Sequence, residues 1–245
     1  ATYAAWNWKA NGSGSSNTDG TINTTSTSAN ADAGFSISTW TGNATSGATI
    51  GHGLSKAPDL IISKQRSGTS NWLVQHSSLG PTHHLELETT GGKNTSSNIW
   101  NNQAPTATVF YVGNNAAANG NTETYVTYCF HSVDGYSKFG SYTGNGAGNG
   151  TFVYTGFRPA YILLKSHTNG EHWIIHDTTR ETTNPHESVL FPAINAVEND
   201  SAVNMIDILS NGFKLRGSDN RINGSGLGYI YIAFAETPFK YSNAR

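Results

Sequence analysis

The chain has 245 residues, of which only 12% are charged, with a formal net charge of −2 and one cysteine, Cys129. So little charge argues against nucleic-acid binding through a basic stripe, and the lone cysteine excludes an intrachain disulfide framework or a multi-cysteine zinc site. No apolar run approaches the ~20 residues that span a bilayer, so no membrane insertion is expected.

Residues 1–9 contain Tyr3-Ala4-Ala5-Trp6-Asn7-Trp8, an aromatic and small-residue alternation that reads as a strand. Residues 10–34 are almost wholly Gly, Ser, Thr, Asn and Ala, a linker composition with little apolar surface to offset ordering entropy. Short strand-like runs follow, rich in β-branched and aromatic residues and bounded by Gly, Asn and Pro. A hairpin is predicted from Pro58 to Trp72 around Ser67-Gly68, and another from Pro159 to His176 around Asn169-Gly170, a pair that readily accepts positive φ. A further hairpin is expected at Asn211-Gly212, and 193–203 has room for one short helix.

These runs repeat. Ala57-Pro58-Asp59-Leu60-Ile61-Ile62-Ser63-Lys64 returns as Arg158-Pro159-Ala160-Tyr161-Ile162-Leu163-Leu164-Lys165, so that Pro58 and Pro159 lie 101 residues apart. The same shift carries Trp72 onto Trp173, and similar shifts carry Trp40-Thr41-Gly42 onto Tyr142-Thr143-Gly144 and Tyr125–Phe130 onto Tyr229–Phe234. The expected fold is therefore all-β: two tandem β-sandwich-like modules, 35–138 and 139–245, preceded by the extra strand 1–9 and the linker 10–34. Each module already owns a strand like Tyr3–Trp8. The surplus copy is expected to end a preceding module or to pair with a neighbouring subunit, in a chain that is the carboxy-terminal part of something longer.

Trp6-Asn7-Trp8-Lys9-Ala10-Asn11-Gly12, Gly135–Gly146, Thr155-Gly156-Phe157-Arg158-Pro159 and above all Tyr229–Phe239 resemble tandem modules of tail-fibre and appendage proteins of tailed bacteriophages, especially marine and cyanobacterial ones. That resemblance implies a virion setting and supplies no catalytic or binding residues.

No chemistry-bearing constellation stands out. Glu86 and Glu88 would share a strand face ~7 Å apart, but module two places Asp177 and Glu181 elsewhere, and two copies of one catalytic site would share their acids. His172 and His176 fall ~13 Å apart along a strand, too far to share an ion. No catalytic residue, cofactor or metal is assigned, and the protein is not read as an enzyme. Candidate binding residues are Trp100 with Asn101 and Asn102, where a ring beside amides suits a sugar, and His83 and His84 on the same ground of divergence between the copies. The loop Glu181–Glu187 is a weaker candidate. Together with the resemblance, these residues suggest a phage fibre or appendage protein on the virion surface that displays loops to a host glycan or protein. It would be a homo-oligomer, with a trimer favoured, and would contact other virion proteins. The alternatives are a purely structural decoration or fibre-shaft protein and a tailspike-like glycan depolymerase.

Overall fold

A computed structural model describes residues 4–200 and 202–237. The strands of the first half are β1 (Ser26–Asn30), β2 (Phe35–Thr41), β3 (Ala48–Gly51), β4 (Leu60–Gln65), β5 (Leu73–His76), β6 (His83–Glu86), β7 (Asn94–Thr95), β8 (Val109–Val112) and β9 (Thr124–Phe130). Those of the second half are β10 (Ser137–Thr143), β11 (Phe152–Tyr154), β12 (Pro159–Ser166), β13 (Ile174–Asp177), β14 (Ser188–Val189), β15 (Asn199–Asp200), β16 (Ile206–Leu209), β17 (Gly212–Leu215) and β18 (Gly228–Ala235). Helices are confined to single turns such as α1 (Ser97–Trp100) and α2 (Ala116–Asn119). The fold is all-β, and among the described residues every pair of these strands is antiparallel.

The sequence repeat is a repeat of topology. The run β2-β9-β4-β5 within the seven-stranded sheet has the same order as the four-stranded sheet β10-β18-β12-β13. A small outer sheet faces each, β3-β8 in the first half and β11-β17-β16 in the second. Alternation along the central strands explains the layering. Tyr125 and Cys129 of β9 point into a core with Trp40, Ile50 and Phe110, while Phe130 points the opposite way. Tyr231 and Ala233 of β18 likewise enter a core with Phe213 and Leu215, while Ile230, Ile232 and Phe234 point out of it. The outward residues of both halves meet in a third core, so the main sheets pack face to face and each is apolar on both sides. Each half keeps its own core beside the shared one.

The copies also share a polar framework. Buried Asn119 donates through Nδ2 to Asn43 Oδ1 (3.3 Å), Thr45 O (3.0 Å) and Gly113 O (3.1 Å). Buried Asn223 does the same to Asn145 Oδ1, Ala147 O and Gly217 O, each at 2.9 Å. These bonds tie the loops at one end of each sandwich to the strand that leaves them, so that interior backbone groups are not left unpaired.

Several expectations need amendment. Residues 4–10 pair with no sheet; instead Trp6 and Trp8 lie over the inter-module core, with Trp8 edge-on to Phe130 and Tyr161 at 6.2 and 5.9 Å. Residues 1–3 and 238–245, which include the end of the phage-like motif, are outside the described residues. Residues 10–34 have a linker's composition but are folded. They contain β1, which extends the first sheet beside β2, and buried Ile22 bridges β3 at Ile50. Hydroxyl contacts among Thr24, Thr27 and Ser38, each 2.9 Å, supply the order that apolar surface does not. Among the described residues of 193–203, where one short helix was expected, stand the two-residue strand β15 and the start of a one-turn 3-10 helix, Ala202–Asn204. The connection after β12 is a longer loop, 167–173, and Gly170 is not among the glycines with positive φ.

Candidate functional site

Trp100 is not available to a ligand. Ser96 caps the single turn α1 by accepting the Asn98 N–H, and that turn drives the indole inward to 1% exposure in the first core. Asn101 and Asn102 follow at φ of 53° each, left-handed positions that asparagine tolerates. Asn102 is exposed, while Asn101 is half-buried and accepts the Ser46 hydroxyl at 2.9 Å. His83 is half-buried, with Nδ1 3.0 Å from Leu79 O, and His84 is buried, its imidazole lowered below the ordinary value by that burial. The β6–β7 pairing sets His84 opposite Asn94 and leads directly into α1. The five candidates thus belong to neighbouring elements, but only His83, Asn101 and Asn102 offer accessible surface.

The acids act as anchors for the backbone and for rings. Glu88 accepts the Trp72 N–H at 3.0 Å. Asp177 accepts Trp6 Nε1 at 2.7 Å and the Thr179 N–H at 2.8 Å. Glu181, in the divergent loop, accepts the N–H groups of Glu187 and Ser188 at 2.8 and 2.7 Å. It also lies 3.2 Å from His186 Nδ1. His176, buried behind His186, is pushed well below the ordinary histidine value by burial and then by its neighbour. Among the described residues, no group of three or more His, Cys, Asp and Glu is placed to hold a metal ion.

Two surfaces emerge that the sequence did not single out. The first is a cleft of about 430 Å³ between the main sheets, walled by Trp6, Trp8, Phe130, Tyr161, Leu163 and Phe234. Chain from the first half closes over its neighbour nearby. Trp173 Nε1 donates to Glu86 O at 3.0 Å, and buried Lys165 donates to Thr90 O, Ser166 O and Glu171 O. Burial lowers that ammonium to about 8, against the pull of Glu171. The corresponding Lys64 serves Gln65 O and Gly68 O in the first module, so the lysine is a loop anchor in both.

The second surface is the outer face of β11. Phe152 is 44% and Tyr154 64% exposed, both on the face opposite buried Val153. In the first module β3 takes this place, and residues 17–22 lie along it. The Thr49 N–H donates to Thr21 Oγ1 at 2.9 Å, Thr49 O accepts the Ile22 N–H at 3.0 Å, and a Cβ on Gly51 would strike Asn17. Among the described residues, no equivalent segment lies along β11. The signal was present in Phe-Val-Tyr at residues 152–154, but this strand fell outside the blocks that revealed the repeat.

The fold and its surfaces define a duplicated β-sandwich scaffold whose copies share buried framework and differ in what they expose. The chain belongs to the family described as a domain of unknown function, DUF7483, whose model matches residues 1–238. No curated protein and no solved structure matches it.

Proposed function

We propose that this chain is a non-catalytic scaffold of a tailed-bacteriophage fibre or appendage, carried on the virion surface and presenting its unshared loops and faces to a host-surface glycan. The observation that carries this reading is the division between the copies. The buried Asn119 and Asn223 networks recur, as do the bonds of the Tyr125 and Tyr229 hydroxyls to the chain just before them, whereas the acids, histidines and exposed aromatics do not. A retained catalytic site would keep its reactive groups in both copies or gather them in one cleft. Here Glu88, Asp177 and Glu181 bind backbone amides. The phage setting rests on the sequence resemblance. So does a homo-oligomeric assembly, for which a trimer is the favoured form. A shell or shaft protein with no ligand would use the same scaffold, and the extensive shared framework favours it as the second reading.

The test is adsorption of the purified, fluorescently labelled chain to the bacterium on which the parent virion grows. Saturable binding that competes with virion attachment is expected. Absence of binding, with virion images showing these loops packed against other virion proteins, would replace attachment with the structural role.

A further inference from the structure

We infer that Phe152 and Tyr154, with Lys214 and Arg216 beside them, form a binding platform for an acidic polysaccharide on the outer face of the second module. This rests on the attachment reading above and names the ligand class and the residues.

The geometry begins with the strand. Residues two apart on β11 point to one side at a spacing of ~7 Å, so the two rings stand in a row suited to successive parts of a sugar chain. Single exposed apolar side chains are ordinary, but two neighbouring aromatic rings on one flat face are not. Glycines lie beneath them. A Cβ on Gly212 would come within 3.2 Å of Phe152 Cε2, and one on Gly156 within 3.6 Å of the Tyr154 hydroxyl oxygen. A side chain at Gly212 would therefore press on the Phe152 ring, Gly156 sits in ordinary contact distance of the Tyr154 hydroxyl, and both rings retain exposed surface on which the C–H groups of a pyranose can stack.

Polar partners stand alongside. In the β11-β17-β16 sheet Phe152 is opposite Lys214, which is opposite Asp207. Lys214 Nζ donates to Gly150 O at 3.2 Å and keeps donors to spare. Arg216 lies 3.4 Å from Asp207 with its side chain 43% exposed. Two cations against one carboxylate give this face a positive excess on a chain of net charge −2, which complements carboxylate or sulfate groups on the sugar. The first module has Thr49 and Gly51 at the ring positions, with its own chain laid along that strand, so the platform belongs to the second copy alone.

The experiment is native affinity electrophoresis of the full chain through gels containing alginate, a uronate polymer, or chondroitin sulfate, with dextran as a neutral control. The chain should be retarded by an acidic polymer and not by dextran. F152A/Y154A should weaken retention by about tenfold or more in apparent dissociation constant with an unchanged melting temperature. K214M should weaken it less and flatten its salt dependence. No retardation by either acidic polymer, equal retardation by dextran, or full retention by F152A/Y154A would each overturn the platform. Cell adsorption separates this from the broader reading. F152A/Y154A adsorbing like the unmodified chain refutes the platform alone, whereas failure of the unmodified chain to adsorb refutes attachment itself.

Discussion

Tyr125 and Tyr229 make the same two hydrogen bonds in the two halves of the molecule. The Tyr125 hydroxyl donates to Ala116 O at 2.5 Å and accepts the Gly120 N–H at 2.6 Å, and the Tyr229 hydroxyl donates to Asn220 O at 2.7 Å and accepts the Gly224 N–H at 2.8 Å. Each ring stacks on the aromatic of the neighbouring strand, Trp40 at 4.5 Å and Tyr142 at 4.9 Å. With the Asn119 and Asn223 networks, these pairs fix the end of each sandwich. They mark the halves as copies of one structural unit.

Removing a member of this framework should cost stability in either copy. N119A and N223A each strand several buried partners, and a loss of about 3 kcal/mol is expected from groups left unpaired in the interior. Chemical denaturation of each variant checks this. A loss in only one of them would mean that the frameworks are not equivalent.

Trp100 should behave as core. Its ring is 1% exposed among Ile99, Phe110 and Trp40. W100A should therefore lower unfolding free energy by about 3–5 kcal/mol, while any remaining folded protein still binds its target. Equilibrium unfolding and a binding assay on the same preparation separate the two effects.

Trp6 and Trp8 bind the halves together from outside the sheets. Trp8 meets Phe130 of one half and Phe234 of the other at 6.2 and 5.3 Å, and Trp6 reaches Tyr161 and Asp177. W6A/W8A should lower the melting temperature and increase binding of a hydrophobic fluorescent dye, because the apolar cleft loses two of its walls. An unchanged melt and dye signal would show that the segment contributes nothing to the junction.

Acid should weaken the fold well before the carboxylates titrate. Burial pushes His76 down to about 4, against smaller opposing pulls from the Tyr231 carbonyl and Asp59, and burial also lowers His52, His84, His167 and His176. The unfolded chain takes up protons near pH 6.5 and the folded chain does not. The stability that these groups contribute is therefore fully present above that pH and falls as the pH drops from about 6.5, with the share of His76 lost by about pH 4. His76 alone accounts for about 3 kcal/mol across this window. Denaturation midpoints at pH 7 and 4.5 should differ in that sense, and H76Q should reduce the difference.

The strands and their repeat were legible because buried strands announce themselves. Leu60–Lys64 and Tyr161–Lys165 carry apolar side chains on both faces and each follows a proline two residues before it, and that pattern survived duplication. The fold of 10–34 was not legible, because its order comes from backbone pairing and hydroxyl contacts with distant strands rather than from its own apolar content. Trp100 was misread because a single helical turn decides whether a ring between asparagines faces out or in, and one turn leaves no periodicity in sequence. Phe152 and Tyr154 were missed because their meaning lies in the contrast with Thr49 and Gly51, which needs the β3–β11 correspondence that only the strand pairing supplies.

Shared groups that build the scaffold, and an unshared outer face that makes contact with the host, should respond differently to substitution. Host-cell adsorption of F152A/Y154A and of N119A/N223A, measured side by side below both melting temperatures, tests this most directly. The ring variant should stay as stable as the unmodified chain and lose adsorption, while the framework variant should melt earlier and still adsorb. The opposite pattern would contradict this division.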